Sequence, residues 1–171
     1  TKAIEESQKA PESADSLGGE LMAQTFLGIA NAQAWGYGYP EVEKAFTRAR
    51  DLCKLMGDPP QLFPGLHGLV KFHLVRGRYA VGLELARQLQ VTAEESKDNN
   101  LLIEALYVVG AAQFWMGNPN DSIPTFQRLI SLYDPIAHKN HAMVYGEDPG
   151  VVAFSHDLWQ QTVGGNIKVS V

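Results

Sequence analysis

Residues 35–53 read WGYGYPEVEKAFTRARDLC, and the fold turns on what the two glycines are for. One reading makes Gly36 and Gly38 a phosphate-cradling loop at the start of a helix. The other makes them the reversal of a helical hairpin, with Pro40 as the first residue of its second helix. A dinucleotide fingerprint needs a preceding strand and a third glycine. Residues 21–35 are instead helix-periodic, and Glu41 places an anionic side chain where a phosphate would approach. No G-x-x-x-x-G-K-[ST] string occurs in the chain. The hairpin reading is the one that extends along the sequence.

Shifting the sequence by 40 residues superimposes three segments without a gap. Phe26/Leu66/Leu106 and Ile29/Leu69/Val109 are apolar triples three residues apart, as one helix face requires. Phe46/Ala86/Phe126 and Ala49/Leu89/Leu129 form a second such face. Leu52 and Leu132 extend it, with Thr92 as the exception. Between the faces lie GYGYP (36–40), RGRY (76–79) and GNPN (117–120), where glycine and proline end one helix and permit a tight reversal. The spacing predicts helices over about 19–35, 40–56, 62–76, 79–95, 100–116 and 121–133, with a seventh over 151–163. A two-helix unit cannot bury its apolar face alone and gains by stacking on its neighbours. The expectation is an all-α, right-handed superhelical solenoid of three units (19–58, 59–98 and 99–135) plus a C-terminal capping helix. Residues 1–16 read as a disordered linker, 136–150 as a loop and 164–171 as a flexible tail, leaving 17–163 as the domain.

Composition narrows the function classes. The chain has 171 residues, 45% hydrophobic and 19% charged, with 14 basic against 19 acidic side chains. That suits one soluble domain and provides no clustered basic surface for nucleic acid. No apolar run approaches the length of a membrane span, so no membrane association is expected. Cys53 is the only cysteine, set among Leu52, Leu55 and Met56, and reads as an inert core thiol. A start at Thr1 and an end in GGNIKVSV read as a piece of a longer protein.

The third unit, LYVVGAAQFWMGNPNDSIPTFQRLISLYDP (106–135), resembles a tetratricopeptide repeat (TPR). It has Val109-Gly110, Gly117 at the turn, small Ser122, Phe126 and a terminal Asp134-Pro135. The second unit keeps Leu69, Gly77, Tyr79 and Gly82, while the first departs at its turn, where Tyr37 replaces the glycine. Five strings in order, PEVEKAFTRARDLC, QLFPGLHGL, VRGRYAVGLELA, SLYDPIAHKN and YGEDPGV, are similar to a narrower group. It is the TPR region lying C-terminal to an ATPase module in bacterial signalling proteins, many with a class III adenylate/guanylate cyclase domain. That resemblance implies a cytoplasmic, non-catalytic protein-interaction module with any cyclase or ATPase chemistry upstream. It implies a concave groove lined by Asn31 and Trp35 in unit one, His67 and Lys71 in unit two, and Glu104, Tyr107, Phe114 and Trp115 in unit three. The groove would take a peptide, a partner protein or another domain of the same chain. Lys71 sits mid-groove, able to meet a carboxylate, but Asn31 and Ala111 stand where a two-lysine clamp would continue. Trp35 and Trp115 either plug the seams between units or act as binding anchors. A homodimer through the end of the stack, at Leu158, Trp159 and Val163, is the alternative reading.

No catalytic residue, metal ligand or cofactor is expected within the chain. His138 and His141, with His156-Asp157 downstream, are the most metal-like grouping, and read as polar loop histidines. His67 and His73 are six apart and fall on different helix faces. No G-x-S-x-G elbow accompanies the serines, histidines and aspartates present.

Overall fold

The computed structural model describes residues 14–56 and 59–163. Among them lie eight helices and no strand: α1 (Ala14–Trp35), α2 (Pro40–Met56), α3 (Pro59–Val75), α4 (Tyr79–Ser96), α5 (Asn99–Trp115), α6 (Pro119–Leu132), α7 (His141–Tyr145) and α8 (Pro149–Val163). The protein is all-α. Six expected helices match α1–α6 and the seventh matches α8, each within a few residues. Two differences matter. Helix α1 begins at Ala14, so the last three residues of the expected linker are helical, while 1–13 and the tail 164–171 lie outside the described residues. The expected loop 136–150 contains a further short helix, α7.

Each of α1–α5 packs on the next helix in the chain, α3 also touches α1, α5 and α7, and α8 closes on α6 and α5. The order is that of repeated helical pairs. The turns confirm the 40-residue period in their hydrogen bonds. Gly77 N–H donates to the Leu74 carbonyl and Arg78 N–H to that of His73; forty residues on, Gly117 donates to Phe114 and Asn118 to Gln113. Both glycines have positive φ, +72° and +76°, the left-handed conformation that such a helix end requires. Unit one takes its positive φ at Gly36, one residue earlier, and leaves Tyr37 in the register of Gly77 and Gly117.

The second apolar face is buried in all three units: Phe46, Ala86 and Phe126, then Ala49, Leu89 and Leu129. Phe46 fills a slot between α1 and α3 made by Gly28 and Gly68; a Cβ at either would lie 2.6 or 2.3 Å from its ring. Phe126 meets Gly110 in the same manner. Helix α5 lies at the centre, with every residue from Leu102 to Ala112 buried, as expected of a helix covered on all sides. The first face follows the period only from unit two onward. Leu66 and Leu106 are buried, but Phe26 is 64% exposed. No earlier unit covers that side of α1 among the described residues, so a position that is core in later repeats becomes surface here. Cys53 is buried with Leu21, Ala49 and Leu52.

Candidate functional site

Helices α3 and α5 present His67, Lys71, Glu104 and Tyr107 toward one another, and all four are buried. They are covered by the chain itself. After α6 the backbone turns on Asp134, whose carboxylate accepts from the N–H groups of Ile136 and Ala137, and returns across α3 as α7. Residues 141–147 form a strap over the inner side of the helical pairs.

Under the strap, the Glu104 carboxylate bridges two imidazoles, with Oε1 2.7 Å from His141 Nδ1 and Oε2 3.1 Å from His67 Nε2. One turn of helix away, Glu147 Oε2 accepts from the Tyr107 hydroxyl and lies 2.9 Å from Lys71 Nζ. That ammonium stands 4.0 Å from the centre of the Tyr37 ring, a cation–π distance. The Tyr145 ring is set edge-on to His67 and Phe63, at 5.0 and 6.3 Å. Two strap carbonyls are read by α1 and its turn. Tyr37 Oη donates to the carbonyl of Tyr145, and Gln33 Nε2 to that of Gly146, both at 3.1 Å. Side chains from all three pairs therefore converge on seven residues.

The electrostatics follow from burial. Desolvation depresses the His67 imidazole below its ordinary value, although Glu104 pulls the other way. Desolvation also lowers Lys71, opposed by the Glu147 charge. Burial alone would push the Glu147 carboxyl up, yet Lys71 and the Tyr107 hydrogen bond outweigh it and hold the group below the usual carboxylate value. Burial and the same carboxylate raise the Tyr107 phenol well above its normal range, so it stays a hydrogen-bond donor. The arrangement holds a carboxylate: one cation, one phenolic donor and an aromatic wall around a single acidic side chain.

The residues expected in a groove separate into four places. His67, Lys71, Glu104 and Tyr107 come together as above. Asn31 does not join them; it lines a recess between α1 and α2 with Gln24, Leu27, Glu41, Lys44 and Arg48. The helical register carried over for unit one thus points away from the strap, and α1 reaches it through Gln33 and Tyr37 instead. Phe114 and Trp115 lie at the far end, where Phe114 packs edge-on against Trp115, His156 and Trp159. Neither tryptophan is sealed in a seam. Trp35 is 71% and Trp115 54% exposed, Trp35 lying beside Tyr39. His138 and His141, expected as polar loop histidines, are both buried: His138 accepts from the Asp134 N–H, and His141 meets Glu104. The residues that sequence reasoning missed are Tyr37, Tyr145 and Glu147. For Tyr145 and Glu147 the signal was available: a linker of about 16 residues among connections of two to four is long for a compact helical domain, and long ordered loops tend to carry function.

Beside the strap runs an apolar trough of about 920 Å³, lined by Leu21, Met22, Phe26 and Ile29 of α1, Met56, Pro64, and Met143 and Val144 of α7. Among the described residues no group of three or more His, Cys, Asp or Glu is arranged to hold a metal ion, and no helix is long and apolar enough to cross a membrane. No family model matches the chain, and neither a curated protein nor a solved structure matches it.

Proposed function

We propose that this chain is a non-catalytic protein–protein interaction module of the tetratricopeptide-like solenoid class. It would be a cytoplasmic regulatory or sensor part of a larger bacterial signalling protein, receiving a peptide or partner domain on its strap-bearing side. The observation that carries the reading is the trough. Met22, Phe26 and Met143 are each more than 60% exposed yet line one trough, on a domain with a buried apolar core. Contiguous exposed apolar surface on a well-packed domain marks an interaction site, and methionine suits adaptable partner surfaces. The sequential helical pairs, the repeated turn and the fold-wide period support the solenoid assignment. The test is affinity capture from bacterial cytosol, comparing the native chain with Met22→Asp/Phe26→Asp. Both positions are exposed, so the variant folds, and a partner held by the native chain is lost from it. Equal capture by the two contradicts the reading.

A second reading has its own observation. Val151, Phe154, Leu158 and Trp159 of α8 are all more than half exposed, next to Phe114 and Trp115. This is an uncovered end of the stack, suited to self-association that would bring upstream cyclase or ATPase domains together. Val163, assigned to the same end, has a side chain outside the described residues. Light scattering of the native chain and Leu158→Glu decides. A concentration-dependent dimer abolished by the substitution supports self-association, and a monomer at all concentrations removes it.

A further inference from the structure

The strap is built inside out. His141 and Glu147 point their polar groups into the helical pairs, whereas Met143 and Val144 are exposed. A loop held as part of a hydrophobic core shows the opposite pattern, because apolar burial is the main driving force of packing. What holds this one is the set of contacts by which proteins hold peptides: side chains reading backbone carbonyls, an aromatic ring in a pocket, and a carboxylate on a buried cation. Gln33 and Tyr37 read the carbonyls, Phe63 and His67 receive the Tyr145 ring, and Lys71 with Tyr107 takes the carboxylate.

We propose that residues 141–147 are an internal occupant of a peptide-binding groove, and that the external ligand is an acidic peptide segment. Its Asp or Glu carboxylate replaces Glu147 on the Lys71–Tyr107 subsite. This deepens the interaction-module reading and rests on it, naming the partner's chemistry: an aromatic residue, a small residue, then an acid, as in Tyr145-Gly146-Glu147. The small residue is required because a Cβ at Gly146 would lie 2.7 Å from Tyr37 Oη and 3.0 Å from Gln33 Nε2. The acid is required because Lys71 is 5% exposed, and its ion pair with Glu147 is close without being aligned as a hydrogen bond. An uncompensated ammonium at that depth is costly, so the subsite is empty only at a penalty and selects an anion over a neutral side chain. Glu104 is the other acid nearby, and it is committed to His67 and His141. The strap then acts as a competitor in cis, and its affinity sets the threshold a partner has to exceed.

The probe is a fluorescently labelled synthetic peptide with the sequence of residues 140–148, NHAMVYGED, added in trans. Fluorescence anisotropy compares four proteins: the native chain, Glu147→Ala, Lys71→Met and Glu147→Ala/Lys71→Met. Glu147→Ala frees the subsite and binds the peptide at least tenfold more tightly than the native chain does. Adding Lys71→Met removes that gain, and so does replacing the peptide's first acid by Gln. Three results overturn the proposal: no binding to Glu147→Ala, equal binding of the Gln peptide, or loss of the helical circular dichroism in Glu147→Ala. The last would make the strap part of the fold rather than its occupant. These outcomes are separable from the wider reading. A chain that still captures a protein through Met22 and Phe26 but ignores the peptide remains an interaction module and loses the carboxylate subsite.

Discussion

Glu104 is the residue whose removal says most about how the strap is held. It is fully buried, and each carboxylate oxygen meets a different imidazole, one from α3 and one from the strap. Glu104→Ala leaves the His141 imidazole without its partner, removes the carboxylate 3.1 Å from His67 and opens a cavity at a fully buried position, a loss of about 3–5 kcal/mol. Glu104→Gln keeps the shape. Its amide accepts from one imidazole and donates to the other, which a neutral histidine allows by changing tautomer, so the loss is about 1–3 kcal/mol. For a domain of this size each kcal/mol moves Tm by about 2–4 °C. The alanine variant is therefore expected to melt about 6–20 °C below the native chain, with the glutamine variant between them. Calorimetry measures this, and hydrogen exchange locates it. A local loss of about 3 kcal/mol raises exchange of the strap amides by about a hundredfold, ahead of those in the core of α5. An alanine variant melting within 2 °C (about 1 kcal/mol or less) of the native chain would refute the reasoning. So would exchange that rises evenly along the chain.

Three further outcomes are expected. Gly68→Ala puts a methyl 2.3 Å from the fully packed Phe46 ring. It destabilises by about 1–3 kcal/mol despite the better helix propensity of alanine, and Phe46→Leu in the same chain recovers part of the loss in a thermal melt. Gly146→Ala strains a backbone at φ +85° and collides with Tyr37 and Gln33. It is expected to accelerate hydrogen exchange at 141–147 while leaving the amides of α2 and α4 unchanged. The third concerns acid. The folded state holds His67 below the ordinary imidazole value of about 6.5, so the unfolded chain takes up the proton first as pH falls. Stability is then complete above about 6.5 and declines below it, and His67→Gln flattens the change in Tm between pH 7.5 and 5.5. Glu147, held below its usual value, adds acid sensitivity only at lower pH.

The parts of the fold governed by local period were legible in the sequence. The face Phe46/Ala86/Phe126 and the turn glycines Gly77 and Gly117 each state a short-range rule that repeats every 40 residues, and Pro40 marks a helix start. What was not legible depends on what lies across from a residue. Phe26 has the same pattern as Leu66 and Leu106 but lacks a covering helix, and Asn31 has the register of Lys71 but faces a different neighbour. Helix α7 is five residues long and carries no periodic signal. His141, Tyr145 and Glu147 acquire their partners only when a linker folds back over three helical pairs, a contact of high sequence separation that no window can show. Tyr37 is the instructive case. Read in the sequence as a departure from a glycine turn, it supplies the ring beside Lys71 and the hydroxyl that holds the strap.

The reading that the inner groove is closed by the chain's own carboxylate is tested most directly by a double-mutant cycle on Lys71 and Glu147. Urea unfolding of the native chain, Lys71→Met, Glu147→Gln and the double variant gives their coupling free energy. A pair 2.9 Å apart, with the cation buried, is expected to couple by about 1–3 kcal/mol. Losses that add to within about 0.3 kcal/mol would mean that Glu147 is not seated on Lys71, and that the groove is not held shut from within.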